Sequence, residues 1–265
     1  MKIIFVYILG LLLFISCDNK KEIVEYYENG NPKVVYIYEK EQKQDSSVHY
    51  YNDTKQPIKT IKYWKNNNAY YQKDFFANGN LMGEGRLLRD NFRIGKWDLY
   101  SIESYKSEVI EYLNINNTSY RNQTWKLDKK GDTISGGGFY ESRNKDTVIF
   151  NSPIRFHFFL RQRVLLNSEL YLCFAKKGSA LKSDFSNQHE VPLDTVKNMS
   201  VEFKTHPKFK YRKYDILFDL IPRKEGNDTL RGFLLEKETV KNNDSVDFYT
   251  RQFYFSIPYY VKGKR

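Results

Sequence analysis

The sequence predicts an all-β protein: a hairpin-repeat sheet followed by an immunoglobulin-like β-sandwich. Three observations carry that expectation. Tyr and Phe number 22 and 19 while Ala is sparse, a composition that favours strands over helices. In the first half, a motif of paired aromatics and a polar turn recurs at a spacing near 24 residues. In the second half, short apolar runs alternate with clusters of Gly, Asn and Asp, the punctuation of strands and turns.

The first element, residues 1–16, reads as a signal segment. Met1 and Lys2 give a positive start, and Ile3 to Ile15 is an apolar run broken only by Tyr7 and Gly10. That run is shorter than the roughly 20 residues a membrane-spanning helix needs, and its length suits secretion. Phe14-Ile15-Ser16-Cys17 then places a small residue before a cysteine, and the chain turns polar at Asp18, Asn19, Lys20 and Lys21. This resembles the lipobox cut by the lipoprotein signal peptidase, with Phe14 where that family usually has Leu. The resemblance implies that Cys17 accepts lipid and becomes the first residue of the mature chain, with residues 17–21 as anchor and linker. One acyl chain binds a bilayer only marginally, at about 0.8 kcal/mol per buried methylene. Bacterial lipoproteins carry two or three chains, so stable attachment in the cell envelope is implied. Surface-exported lipoproteins of the Bacteroidota carry an acidic cluster after the cysteine; Asn19-Lys20-Lys21 favours a periplasm-facing outer-membrane position instead.

About 250 residues remain after such a cut, enough for two modest domains or one large one. The net charge of +11 suits polyanionic neighbours such as phospholipid head groups, lipopolysaccharide or an acidic partner. The densest basic cluster is Lys208-Phe209-Lys210-Tyr211-Arg212-Lys213-Tyr214. In an exported chain it reads as a solvated strand face, and nucleic acid is not an expected partner. With Cys17 acylated, Cys173 has no intrachain disulfide partner. Its setting, Leu170-Tyr171-Leu172-Cys173-Phe174-Ala175, suits a buried inert thiol.

Residues 22–106 hold the repeats. Tyr26-Tyr27-Glu28-Asn29-Gly30-Asn31 is followed by Tyr50-Tyr51-Asn52-Asp53-Thr54, by Phe75-Phe76-Ala77-Asn78-Gly79-Asn80, and by Leu99-Tyr100 behind Gly95-Lys96-Trp97. Asn29-Gly30 and Asn78-Gly79 suit the positive φ angles of a two-residue hairpin turn. Thr54 replaces the glycine in the second copy, which predicts a wider loop there. A lone hairpin is marginal in water, and stacked copies share a core. These residues resemble the MORN-type repeats of the YwqK family, whose pattern pairs aromatic-aromatic-x-Asn-Gly with Gly-Lys-Trp-x-x-Tyr. The likeness covers about residues 22–103 and marks Asn29, Gly30, Asn78, Gly79, Gly95 and Trp97 as repeat-turn residues. It implies an interaction or membrane-proximal sheet; YwqK proteins are commonly labelled antitoxins.

Residues 107–265 lose the period. Strand-like runs cover 109–115, 123–127, 147–150, 154–160, 169–175, 200–203, 214–221, 230–237 and 248–257. Turn chemistry lies at Lys130-Gly131-Asp132, Gly136-Gly137-Gly138, Gly226-Asn227-Asp228 and Asn242-Asn243-Asp244. Short strands at this spacing predict a sandwich. The stretch from Asn122-Gln123-Thr124-Trp125 to Thr133-Ile134 is similar to one in lipoproteins of the Bacteroidota. An Asp-hydroxyl-aliphatic tripeptide recurs at Thr133, Thr147, Thr195, Thr229 and Ser245. It matches the O-glycosylation acceptor pattern of that phylum's exported proteins, and equally fits a turn Asp leading into a strand.

No nucleophile elbow, phosphate-binding loop or zinc-protease motif occurs. His49, His157, His189 and His206 lack metal-ligand spacing, so no metal or cofactor is expected, and His157 reads as a packed strand residue. Asp215 and Asp219 share a strand face about 13 Å apart at about 3.3 Å per residue, too far for a glycosidase pair. The expected function is a membrane-anchored, non-catalytic binding or scaffold lipoprotein. It would contact lipid through Cys17 and a protein partner elsewhere. An antitoxin and a carbohydrate-binding lipoprotein are the alternatives.

Overall fold

A computed structural model describes residues 20–39, 44–66, 69–89, 91–198, 213–241 and 245–263. Cys17, the 200–203 run, most of the 208–214 basic cluster, His206 and the Asn242-Asn243-Asp244 turn lie outside them. The chain divides into two compact units, Met1–Arg89 and Asp90–Arg265.

The first unit is an antiparallel meander in chain order. Its strands are β1 (Lys21–Tyr26), β2 (Pro32–Tyr38), β3 (Gln44–Tyr50), β4 (Ile58–Asn66), β5 (Ala69–Phe75) and β6 (Leu81–Arg89). The loops show why the sequence repeats. At the first, the Tyr27 N–H donates to the Asn31 carbonyl and the Gly30 N–H to the Tyr27 carbonyl, at 2.8 and 2.9 Å. Phe76, Gly79 and Asn80 repeat the pattern at the third. These are three-residue loops, each closed by a glycine at positive φ (Gly30 at 84°, Gly79 at 88°). The expected two-residue turn is therefore corrected: Asn29 and Asn78 keep negative φ, and each side-chain oxygen accepts the N–H two residues on. At the second loop the Tyr51 N–H reaches the Pro57 carbonyl, so five residues are enclosed, with Gln56 at φ 50°.

Neighbouring repeats are stitched at these loops. The Tyr27 hydroxyl donates to the Tyr50 carbonyl at 2.8 Å, and the Tyr51 hydroxyl to the Phe75 carbonyl at 2.9 Å. The second aromatic of the first two pairs thus holds the backbone of the first aromatic in the next copy. The Asn29 side-chain N–H donates a further hydrogen bond to the Asn52 side-chain oxygen at 2.8 Å.

The second unit begins with the same geometry. Strands β7 (Phe92–Tyr100), β8 (Lys106–Ile115), β9 (Thr118–Leu127) and β10 (Thr133–Arg143) continue as hairpins. The β7–β8 loop closes as the earlier ones do, with Ser104 at φ 68° in the glycine position. Gly95 and Trp97, expected at a turn, instead lie within β7, where Trp97 is fully buried under the Arg93 guanidinium. The two-residue turn appears at β8–β9, where Asn116 and Asn117 both take positive φ. The compact division thus falls ahead of residue 107, because β9 is bound to the sandwich.

The sandwich follows the immunoglobulin strand order. β10, β12 (Ile154–Gln162) and β15 (Asp215–Leu220) form one sheet; β11 (Thr147–Ile149), β17 (Val246–Lys262), β16 (Gly226–Lys241), β13 (Glu169–Ala175) and β14 (Leu193–Lys197) form the other. In immunoglobulin lettering these occupy the places of A-B-E and of G-F-C. The alternation in β12 sets the layers: Ile154, Phe156, Phe158 and Leu160 point inward onto Leu170, Leu172, Leu234, Phe253 and Phe255. The five-stranded sheet is covered on its other face too, where Cys173, Phe233 and Tyr254 meet Leu181 and Phe185 of the 176–192 segment. That double burial explains the unbroken apolar run around Cys173. Two expected turns are strands: Gly226-Asn227-Asp228 starts β16, and Gly136-Gly137-Gly138 lies in β10 at a register shift. A Cβ on Gly137 would meet the Thr124 carbonyl oxygen at 2.4 Å, and one on Gly138 would meet Val164 at 2.5 Å. The triplet is a close-packed bulge, and the Gln162 amide satisfies its backbone by bonding Gly137 and Ile134.

Candidate functional site

The residues most able to meet a partner stand on the outward face of the β10-β12-β15 sheet. The same alternation that buries Phe156 and Phe158 turns Arg155, His157, Phe159 and Arg161 outward. Register places Arg143 beside His157 and Glu141 beside Phe159 on β10, and Leu217, Asp215 and Asp219 on β15. The face is an ordered stack. The His157 and Phe159 rings lie 3.6 Å apart, and the guanidiniums of Arg143 and Arg161 sit 5.1 and 5.0 Å from the Phe159 centroid.

Its carboxylates are engaged by its cations. Arg155 makes a two-pronged bond to Asp219, both contacts 2.7 Å, and holds that carboxyl below the usual carboxylate range. Arg161 bonds Glu141 at 2.8 Å, and His157 lies 3.8 Å from Asp215. Both aspartates expected to share a face do so, Asp219 paired with Arg155 and Asp215 lying near His157. Arg143 is in no ion pair among the described residues, so the face keeps an exposed guanidinium with its donors turned to solvent.

At the end of β12 the chain forms a loop, residues 163–168, ordered by a hidden charge. Glu236 on β16 is fully buried, and its carboxylate accepts the N–H groups of Val164 and Leu165 at 3.0 Å and the Ser168 hydroxyl at 2.7 Å. Glu238 accepts the Asn167 N–H at 3.0 Å. Arg163 bonds the Tyr214 hydroxyl at 2.8 Å, and Lys213 stands over the same ring at 5.5 Å.

No family model, curated protein or solved structure matches this chain. Its site residues are therefore read from their own surroundings.

Of the recurring tripeptides, Thr133, Thr147 and Ser245 are exposed at or just before the starts of β10, β11 and β17. Thr195 is exposed within β14, and Thr229 is half-buried in β16. The Asp228 carboxylate accepts the Thr229 N–H and the Tyr259 hydroxyl, so this Asp serves its own strand. Cys173 is buried, which pushes its thiol up in pKa and away from reactivity. Among the described residues no His, Cys, Asp and Glu group could hold a metal ion, and no helix is long and apolar enough to cross a membrane. Sequence reading passed over the outward face: Arg155, His157, Phe159 and Arg161 are legible as the odd positions of a period-two strand, but only register adds Arg143 and Glu141. The buried role of Glu236 had no local signal, because its loop lies 72 residues away.

Proposed function

We propose that this chain is a lipid-anchored, non-catalytic binding module of the cell envelope. The hairpin repeats act as scaffold, and the outer face of the sandwich contacts a protein partner. The observation that carries this reading is the stack of Arg143, His157, Phe159 and Arg161. Its guanidiniums are held on an aromatic ring before any partner arrives, which lowers the ordering cost of an interface. Arginine is, with Trp and Tyr, enriched among the few residues that carry most of the binding energy at protein interfaces. The lipobox-like Phe14-Ile15-Ser16-Cys17 supports the anchor.

Two measurements test it. Labelled palmitate enters the protein and is lost in Cys17→Ser. Crosslinking in the native envelope captures a partner from the intact protein and loses it in Arg143→Glu with Arg161→Glu, while a charge reversal at the exposed Lys55 keeps it. Turnover of a substrate by the purified chain, or capture indifferent to both arginines, would overturn the reading. The resemblance of the repeats to YwqK antitoxins supports a second reading, an immunity protein. In that case a neighbouring toxin gene makes loss of this protein lethal. Stacking of a sugar on Phe159 is disfavoured, since His157, Arg143 and Arg161 already cover the ring.

A further inference from the structure

Loops are usually polar, yet the 163–168 loop carries Val164 and Leu166 at 50 % and 72 % exposure, and Leu166 is the most exposed large hydrophobic among the described residues. Its backbone is not loose. Glu236 and Glu238 together fix the N–H groups of Val164, Leu165 and Asn167, so Leu166 is presented on a pre-formed tip, above a half-exposed Val164 that packs on Gly138. Around the tip stand Arg163, Lys213 and Tyr214, and neither cation is in an ion pair among the described residues. Tyr214 is itself tied down, its hydroxyl lying 3.4 Å from the Ser168 carbonyl.

We propose that this loop is a membrane-contact point. Leu166 enters the headgroup–acyl boundary of an anionic bilayer, while Arg163 and Lys213 meet lipid phosphates and Tyr214 lies at the interface between them. An apolar tip flanked by two cations and an amphipathic aromatic matches the layering of that boundary, with hydrocarbon inside, polar aromatics at headgroup level and charge outermost; the Glu238 carboxylate is held on the Asn167 N–H. The cations match an anionic surface and would gain little at a neutral one. Because the loop is already ordered, insertion does not have to freeze it. A protein pocket would also accept Leu166, but the flanking Arg163 and Lys213 favour an acidic, laterally extended surface. This contact is separate from acylation at Cys17 and adjoins the partner face, since Arg163 follows Arg161 by two residues.

The test uses the full chain, its palmitate uptake measured, in vesicles of phosphatidylglycerol and phosphatidylcholine at 3:7, and in pure phosphatidylcholine. Leu166→Trp supplies a reporter, read as the difference from the native protein. Its emission shifts to the blue and is quenched by acyl-brominated lipid in the anionic vesicles. Arg163→Glu with Lys213→Glu lowers the inserted population at least about thirty-fold, the factor expected from losing two cations near an anionic surface. An unshifted, unquenched reporter in both vesicles overturns the proposal. Equal quenching in neutral vesicles also overturns it, since the cations would then do nothing. A chain that takes up palmitate while the reporter stays wet loses the loop contact and keeps the anchor. One that takes up none, yet shows quenching in anionic vesicles, does the reverse.

Discussion

Left-handed backbone closes five of the described hairpin loops, at Gly30, Gln56, Gly79, Ser104 and Gly131. Glycine takes this conformation without penalty, and a residue with a Cβ does not. The cost can be separated from packing, because no atom lies within 4 Å of a Cβ built on Gly79. Gly79→Ala is therefore expected to lower stability by about 1 kcal/mol through the backbone alone. The exposed Ser104 sits in the same conformation, so Ser104→Gly is expected to raise stability by about 0.5–1 kcal/mol. Shifts of opposite sign in the urea midpoint check the pair; equal signs would refute the backbone account. The Asn-Gly pairs made two of these positions legible in the sequence. Gln56 and Ser104 were not legible, because there the loop hydrogen bonds, and not the residue type, impose the angle. Loop length was misread for the same reason: an Asn-Gly pair suits a two-residue turn and a three-residue loop alike, and the Tyr27-to-Asn31 bond decides.

At the scale of elements, the 163–168 loop depends on β16 more than on itself. Glu236 buries a carboxylate among two N–H groups and one hydroxyl, so its removal leaves the Val164 and Leu165 N–H groups without their acceptor, while the Ser168 hydroxyl can turn to the Leu165 carbonyl 3.2 Å away. Hydrogen bonds to charged groups contribute about 1.5–3 kcal/mol each, and the losses overlap. Glu236→Ala is expected to cost about 3 kcal/mol or more. Faster amide exchange at Val164 and Leu165 should follow, while Glu169–Ala175 in β13 stays protected. Uniform loss of protection across the sandwich would show that Glu236 supports the core and not the loop. The alternation in β12 was readable as Ile-Arg-Phe-His-Phe-Phe-Leu-Arg, and with it both the inner and the outer faces. The strand that holds its following loop was not, because a Glu in a long strand carries no mark of being buried. Glycine triplets mislead in a similar way. Gly137 and Gly138 are small because Thr124 and Val164 press on them, and contact of that kind is invisible in sequence.

Within the second unit, the five-stranded sheet is closed on both faces, and Tyr254 lies where the coverings meet. The side chain of Asn122 stands in for a strand there, accepting the Tyr254 N–H at 2.7 Å and donating to its carbonyl at 3.0 Å. The Arg251 guanidinium bonds the Arg121 and Asn122 carbonyls, and the Tyr120 hydroxyl bonds the Gln252 carbonyl. The two-layer sandwich was legible from strand spacing, whereas the second covering was not, because the 176–192 segment has no strand period. This closure has a consequence at high pH. Burial pushes the Tyr254 phenol up to about 12, and burial first, then Asp228, raises Tyr259 further. Burial likewise raises Tyr140 and Tyr120. In the unfolded chain these phenols ionise near their ordinary value of about 10. Each raised phenol contributes stability that is fully present below that value and is lost as pH rises through its folded one. Stability of the second unit is therefore expected to be level up to about pH 10 and then to fall, by at most about 1.4 kcal/mol per pH unit for each such tyrosine. Denaturant unfolding between pH 8 and 12, read beside the phenolate absorbance, measures it. Tyr259→Phe removes one ionising group together with its 2.9 Å bond to Asp228, so the variant starts less stable but falls less steeply. A slope unchanged by Tyr259→Phe, or buried tyrosines that ionise with the exposed ones, would mean that this sheet is not sealed on both faces.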